Sequence, residues 1–383
     1  MSSWANRAPQ KRVFRNVQPE PIVQHINTVI HPPPVNTAVQ LKSGKNIYPF
    51  QYNIINGYRH RTIPYNDDNF VRKIKFNCIE KLSHIRKIVC VYKLNYKNFL
   101  GTPPGLGDFI RGCMYIYQLC NLANKEFDIN VKHHPIGKYF SNDNFEELDD
   151  TILDNTECLT YVNMHPDDIF ISATENIIQS MIKQRIVSEL LLVLNDIVKA
   201  PNRNGTVYIS FISFPIFEII QNEINYIGSK FQFNSFINES YNSVCKSLNI
   251  TSKMYNVIHL RCGDNMIFKT EDIGRKMKFL ERLTNYLTNY KSNNPIVLLA
   301  DSEDIKKFVS ENYTSIRVYD SKVAHFAYGS THNEQGIIDT LTDISIISNC
   351  ANIISYTNYS HGSGFAIWPA ILNNIPYTCE FIK

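Results

Sequence analysis

Two doubly wound α/β units behind an extended N-terminal arm are the architecture this sequence predicts, and three observations carry it. From Lys87 onward, short apolar runs alternate with segments whose apolar residues recur at helical spacing. That alternation implies parallel strands joined by crossover helices. Glycine-rich or hydroxyl-rich segments follow several of the strands, which is where open parallel sheets bind ligands. Ahead of all this, residues 1–70 hold eight prolines and no sustained period of either kind.

The arm, residues 1–70, is expected to be extended or disordered, because proline removes amide donors and fixes φ. It also interleaves Trp4, Phe14, Tyr48, Phe50, Tyr52 and Tyr58 with Arg and Lys, a composition suited to lying along a partner protein. The first folded unit, 71–250, opens with the strand "KIVCVY". An amphipathic helix follows, with Phe109, Ile110, Cys113, Met114, Tyr117 and Cys120 on one face. "FDINV" reads as a strand, Glu175 to Ala200 as a long helix, and "TVYISFIS" as another strand. The second unit, 251–383, runs "MYNVIHL" (strand), Gly274 to Tyr290 (helix), "PIVLLA" (strand) and "SEDIKKFVSEN" (helix). It continues with "IRVY", a helix through "IIDTLTDISIISNC", the strand "NIIS", a helix around "GFAIWPAIL" and a short last strand. Two such units in succession place a cleft between them.

Composition narrows the function classes. At 383 residues and 44% hydrophobic, the chain can bury a sizeable core. No run approaches the ~20 apolar residues of a membrane-spanning helix, and the N-terminus lacks the apolar core of a secretion signal. The nine cysteines are odd in number, dispersed and free of C-x-x-C spacing, which predicts reduced thiols, a cytoplasmic location and no zinc site. Residues 1–70 carry eight Lys/Arg against three acidic residues, a net of +5, so the remainder holds −1 of the total +4. A near-neutral body argues against nucleic-acid binding.

Three loops carry chemistry. In "GTPPGLGDFIRG", Gly105 and Gly107 would let backbone amides approach an anion at a helix N-terminus, with Asp108 as a possible N-cap. The loop lacks G-K-[ST], which excludes a Walker A phosphate loop. In "VIHLRCGD", strand alternation puts Val257, His259 and Arg261 on one face, and Gly263 releases the chain into a turn. A guanidinium at a strand's carboxyl end can grip a diphosphate bidentately without a metal. His259 could orient that loop, touch the donor or be a core residue; Asp264 could pair with Arg261, cap the next element or act as a base. The third segment runs from Asp339 to Trp368. There Asp339 and Asp343 share a helix face, and Ser355, Thr357, Ser360, Gly362 and Gly364 offer small donors and bare amides.

In this order, "GLGDFIRGCMYIYQLCNLA", "HLRCGD" and "TDISIISNCANIISYTNYSHGS" resemble the fucosyltransferase superfamily of α1,2-, α1,6- and protein O-fucosyltransferases. The resemblance implies two facing Rossmann-like domains, the GT-B fold, with 251–383 as the donor domain. It further implies GDP-fucose as donor, inversion at the anomeric carbon, a glycan or glycoprotein acceptor and no obligatory metal or other cofactor. By that resemblance Arg261 holds the donor β-phosphate and His259 and Asp264 belong to the donor loop. Asp343 contacts guanine or ribose, and Ser360 with Thr357 contacts the pyrophosphate. Inversion needs a general base for the acceptor hydroxyl, and Asp264 or Glu271 is in place for it. The α1,6 enzymes carry a glutamate a few residues after this motif, where Lys269 stands here with Glu271 two positions on.

A second class fits the arm: a structural or assembly protein that retains a transferase fold and attaches to a scaffold such as a virion through residues 1–70. An asparagine- and isoleucine-rich chain of this kind suits an AT-rich viral or protist genome.

Overall fold

The computed structural model describes residues 54–55, 62–97, 103–141, 145–161, 175–261, 273–290, 292–322, 326, 334–357 and 362–381. They build two parallel sheets. In the first, β2 (Lys87–Val91), β3 (Glu126–Asn130), β4 (Glu157–Thr160) and β6 (Thr206–Ile212) take the order β3-β2-β6-β4. A two-residue strand, β5 (Asn202–Arg203), adds antiparallel to β6. In the second, β1 (Ile54–Ile55), β7 (Asn256–Arg261), β8 (Ile296–Ala300), β9 (Ile316–Val318), β10 (Asn352–Thr357) and β11 (Tyr377–Phe381) take the order β1-β11-β10-β7-β8-β9.

The second order is doubly wound. From β7 the chain builds outward through β8 and β9, then returns to build β10 and β11 on the other side. The crevice where strand order reverses therefore lies between β7 and β10. In the first sheet the edge strand β4 precedes the inner β6 in the chain. Strands covered on both faces should read as continuous apolar runs, and β2, β6, β7 and β8 do. Ile258 and Leu260 pack with Leu283 and Leu287 of α7 (Ile273–Asn289) and with Ile305 and Val309 of α8 (Glu303–Asn312). Val257 packs on the opposite face with Ile346 and Ile347 of α9 (Glu334–Ser348).

Two boundaries differ from the sequence-based expectation. The arm does not extend to residue 70. Ile54–Ile55 pairs in parallel with β11, Ile63 is fully buried and bridges to Phe217, and α1 (Asp68–Lys81) starts on Asp67, whose carboxylate accepts from Phe70 N. Proline content marked this stretch as unstructured, yet a single buried isoleucine and a cap suffice to fix it. The boundary at 250 also shifts. Helix α6 (Ser235–Ser247) turns Tyr241 and Val244 into the core of the second sheet, and Ser240 Oγ lies 2.9 Å from Thr342 Oγ1 on α9.

The largest core joins the two sheets within the compact unit Lys45–Lys383. Helix α10 (Gly364–Leu372), which follows β10, supplies Ile367, Trp368 and Ile371 to it, against Leu106, Ile110 and Met114 of α2 (Leu106–Ala123), which follows β2. The two helices meet at their N-termini. A Cβ on Gly107 would overlap the backbone of Gly364, so only glycine permits this approach. Gly107→Ala is accordingly expected to destabilise the protein by about 1–3 kcal/mol through overpacking. At Gly105 the nearest atom to an added Cβ is Asp108 Oδ2 at 3.9 Å, and Gly105→Ala should be near neutral. Denaturant unfolding of both variants checks this, and equal losses would show that the crossing is not the reason. Among the described residues no helix is long and apolar enough to cross a membrane.

Candidate functional site between β7 and β10

The second sheet's reversal, between β7 and β10, gathers polar groups. Its register sets Ser355 beside His259 and Thr357 beside Arg261. Arg261 ends β7, and its Nη1 donates to Asp301 Oδ2 at 2.7 Å. Asp301 directly follows β8, where its amide donates to Leu260 O. The neighbouring strand thus supplies an acidic anchor for the guanidinium.

His259 is 3% exposed, with Nδ1 3.0 Å from Ser355 Oγ and its ring stacked on Phe365 at 5.8 Å. Burial pushes its pKa down to about 4, Arg261 adding to that and Asp301 opposing it, so the imidazole is neutral at pH 7. Its contacts tie the end of β7 to Ser355 of β10 and Phe365 of α10. Thr357 is buried at the end of β10.

In the first sheet, Gly105 is the N-cap of α2, with extended backbone and no side-chain cap. The expectation that Asp108 caps this helix is corrected. Asp108 lies in the first turn, where its Oδ1 pairs with Arg111 Nη2 at 3.0 Å. Arg111 is 4% exposed and its guanidinium lies 4.0 Å from the centre of the Phe214 ring. The α-carbon of Gly107, whose amide was expected to approach a ligand, packs against the backbone of Gly364.

Asp343 stands apart from the β7 residues, on α9 facing the segment after β9. Its Oδ2 accepts from Ser321 Oγ at 3.1 Å, and the buried Lys306 of α8 donates from Nζ to Ser321 O and Oγ at 2.6 and 2.8 Å. Asp343 Oδ1 is buried without a hydrogen-bond partner among the described residues. Burial raises the Asp343 pKa to about 7, against the pull of Lys306 and Ser321. Burial likewise lowers that of Lys306. Asp339, on the same face as the sequence indicated, accepts from Lys322 N at 2.8 Å and Gln335 Nε2 at 2.7 Å.

His259, Arg261 and Thr357 therefore lie together at the carboxyl ends of β7 and β10, while Gly107 of α2 meets Gly364, which opens the helix after β10. Asp264, Glu271 and Ser360 lie outside the described residues. Sequence reasoning missed Asp301, Lys306, Ser321 and Arg111. Asp301 had a usable signal, an acidic residue just past "PIVLLA", the strand adjacent to "VIHL". No group of three or more His, Cys, Asp or Glu that could hold a metal occurs among the described residues.

The chain is similar to fucosyltransferases of known structure. Fucosyltransferase NodZ from Bradyrhizobium is 11% identical, covering 75% of this chain and 92% of its own, with a TM-score of 0.43. POFUT1 in its apo form is 10% identical over 78% of this chain and 98% of its own, at 0.40. Arabidopsis thaliana FUT1 in complex with GDP is 10% identical over 81% and 77%, at 0.41. No protein-family model matches the sequence, and no curated protein sequence does.

Proposed function

We propose that the protein is an inverting, metal-independent glycosyltransferase using a guanosine-diphosphate sugar, with GDP-fucose the donor implied by its three segments. The observation that carries this is Arg261, a guanidinium held by Asp301 at the carboxyl end of β7, beside the crevice between β7 and β10. That is where a doubly wound sheet presents ligands, and a planar fork fixed there suits a diphosphate.

In the proposed reaction the acceptor hydroxyl oxygen forms a bond to the anomeric carbon as the bond from that carbon to the phosphate oxygen breaks. The hydroxyl proton passes to Asp264 or Glu271, and the charge left on GDP is met by Arg261. Thr357 and Ser360 contact the pyrophosphate. Asp343 contacts the guanine or ribose: its Oδ1 needs a donor, and guanine's N1–H and N2–H groups are donors. His259 supports the donor loop.

Thermal unfolding with GDP, UDP, GDP-fucose and UDP-sugars tests this. Stabilisation by the guanine nucleotides alone is expected, since a ligand at a hundred times its Kd adds about 2.7 kcal/mol to the folded state. No shift with any guanine nucleotide would overturn the proposal. Asp264→Asn and Glu271→Gln, assayed with GDP-fucose and an acceptor panel, separate the two bases: the true one abolishes transfer and leaves the GDP shift intact.

A further inference from the structure

Helix α1 has an outward face with no role in the fold or the candidate site. Its inward residues Phe70, Ile74 and Cys78 are buried, α1 packs against α2 and α4 (Glu175–Lys199), and the Asp67 carboxylate binds both Phe70 N and Lys183. The helix is therefore firmly seated, and what it turns outward is preformed. That outward stripe is Arg72, Phe76 and Ile79, flanked by Lys73 and Lys75 at helical spacing. Phe76 is 68% exposed and Ile79 47%, on consecutive turns. Arg72, Lys73 and Lys75 are exposed and form no ion pair with any described residue. Exposed Glu80 and Asp68 share the helix, but Arg72, Lys73, Lys75 and Lys81 outnumber them, leaving α1 at +2. Large apolar side chains in water beside a net positive charge on one helix form the pattern of a helix lying in a membrane interface.

We propose that this face of α1 docks on an anionic lipid surface. Phe76 and Ile79 enter the boundary between headgroups and acyl chains, while Arg72, Lys73 and Lys75 reach outward to the lipid phosphates, their aliphatic stems lying along the apolar layer. Charge selects this occupant over the others available. A second copy would bring two sets of the same cations face to face. The chain's own residues 1–70 carry a net +5 and would be repelled in the same way. The proposal does not depend on the donor or the reaction.

The test is co-sedimentation of the full chain with phosphatidylcholine vesicles, with and without phosphatidylserine, comparing parent, Phe76→Ser/Ile79→Ser, and Arg72→Glu/Lys73→Glu/Lys75→Glu. Both substituted sets are on the surface, and circular dichroism confirms their fold. The parent is expected to bind only the phosphatidylserine vesicles, and each variant to bind at least about tenfold more weakly, since each basic residue near such a surface is worth several-fold. Because Phe76→Ser/Ile79→Ser retains every charge, undiminished binding by that variant would assign the binding to the basic N-terminal segment and overturn the proposal. So would absence of binding by the parent. A parent dimer that Phe76→Ser/Ile79→Ser dissociates without lipid would give the face to a second copy and overturn it equally.

Discussion

Arg261→Ala is expected to weaken GDP binding by about 1.5–3 kcal/mol, roughly tenfold to more than a hundredfold in Kd, and transfer with it. The variant removes the cation from the crevice between β7 and β10. It also leaves Asp301 at the end of β8 without the guanidinium that its Oδ2 receives at 2.7 Å. Loss of that charged partner by a half-buried carboxylate weakens the fold, so unfolding should shift as well. Asp301→Asn separates the two effects. It keeps the positive charge of Arg261 but loses the charged anchor, and should cost less GDP affinity than Arg261→Ala. Arg261→Lys keeps charge without the planar fork and should fall between parent and alanine. Calorimetric titration of GDP into all four proteins checks the order; unchanged affinity in Arg261→Ala would remove the residue from the donor site.

Acidification should destabilise the protein through His259. Its folded pKa of about 4 lies below the ordinary 6.5, because the ring is buried against Phe365 and Ser355. Between those values the unfolded chain binds the proton and the folded chain does not. This contribution to stability is therefore complete above pH 6.5 and is lost progressively as pH falls towards 4. The depression corresponds to roughly 3 kcal/mol. Asp343 works in the opposite sense. With a folded pKa of about 7 against 3.8, its contribution is present below 3.8 and is lost as pH rises through 7. Denaturant unfolding from pH 4.5 to 7.5 should show a shallower acid-side loss in His259→Gln than in the parent, and a shallower alkaline-side loss in Asp343→Asn. Parallel curves for parent and His259→Gln would mean that the imidazole is solvated in the folded state.

The alternation of apolar runs and helical stripes was enough to place most strands from Lys87 onward and the helices α2, α4, α7, α8, α9 and α10; α6 and the helix Gln221–Lys230 ahead of it went unread. Each element so placed is specified by local period and by burial on both faces. The elements that escaped it are short or weakly patterned. "ECLT" makes β4 with three half-buried residues and one exposed, which gives no apolar run to read. β1 is two residues whose identity as a strand comes only from pairing with β11. α1 lay hidden because its outward face is itself partly apolar, Phe76 and Ile79 blurring the amphipathic stripe.

For the candidate site, residue types and order along the chain were legible: a guanidinium at a strand end, small residues ahead of helices, two carboxylates on one helical face. Such features depend on spacing within a single segment. Their partners were not legible, since Asp301 reaches Arg261 from 40 residues away and Lys306 reaches Asp343 through Ser321. Gly107 shows the limit most clearly. The sequence marks it as a residue without a side chain beside a helix N-terminus, which serves an anion and a close helix crossing equally well. Only the tertiary structure decides for the crossing, because the backbone of Gly364, 257 residues further along the chain, occupies the space that a Cβ would need.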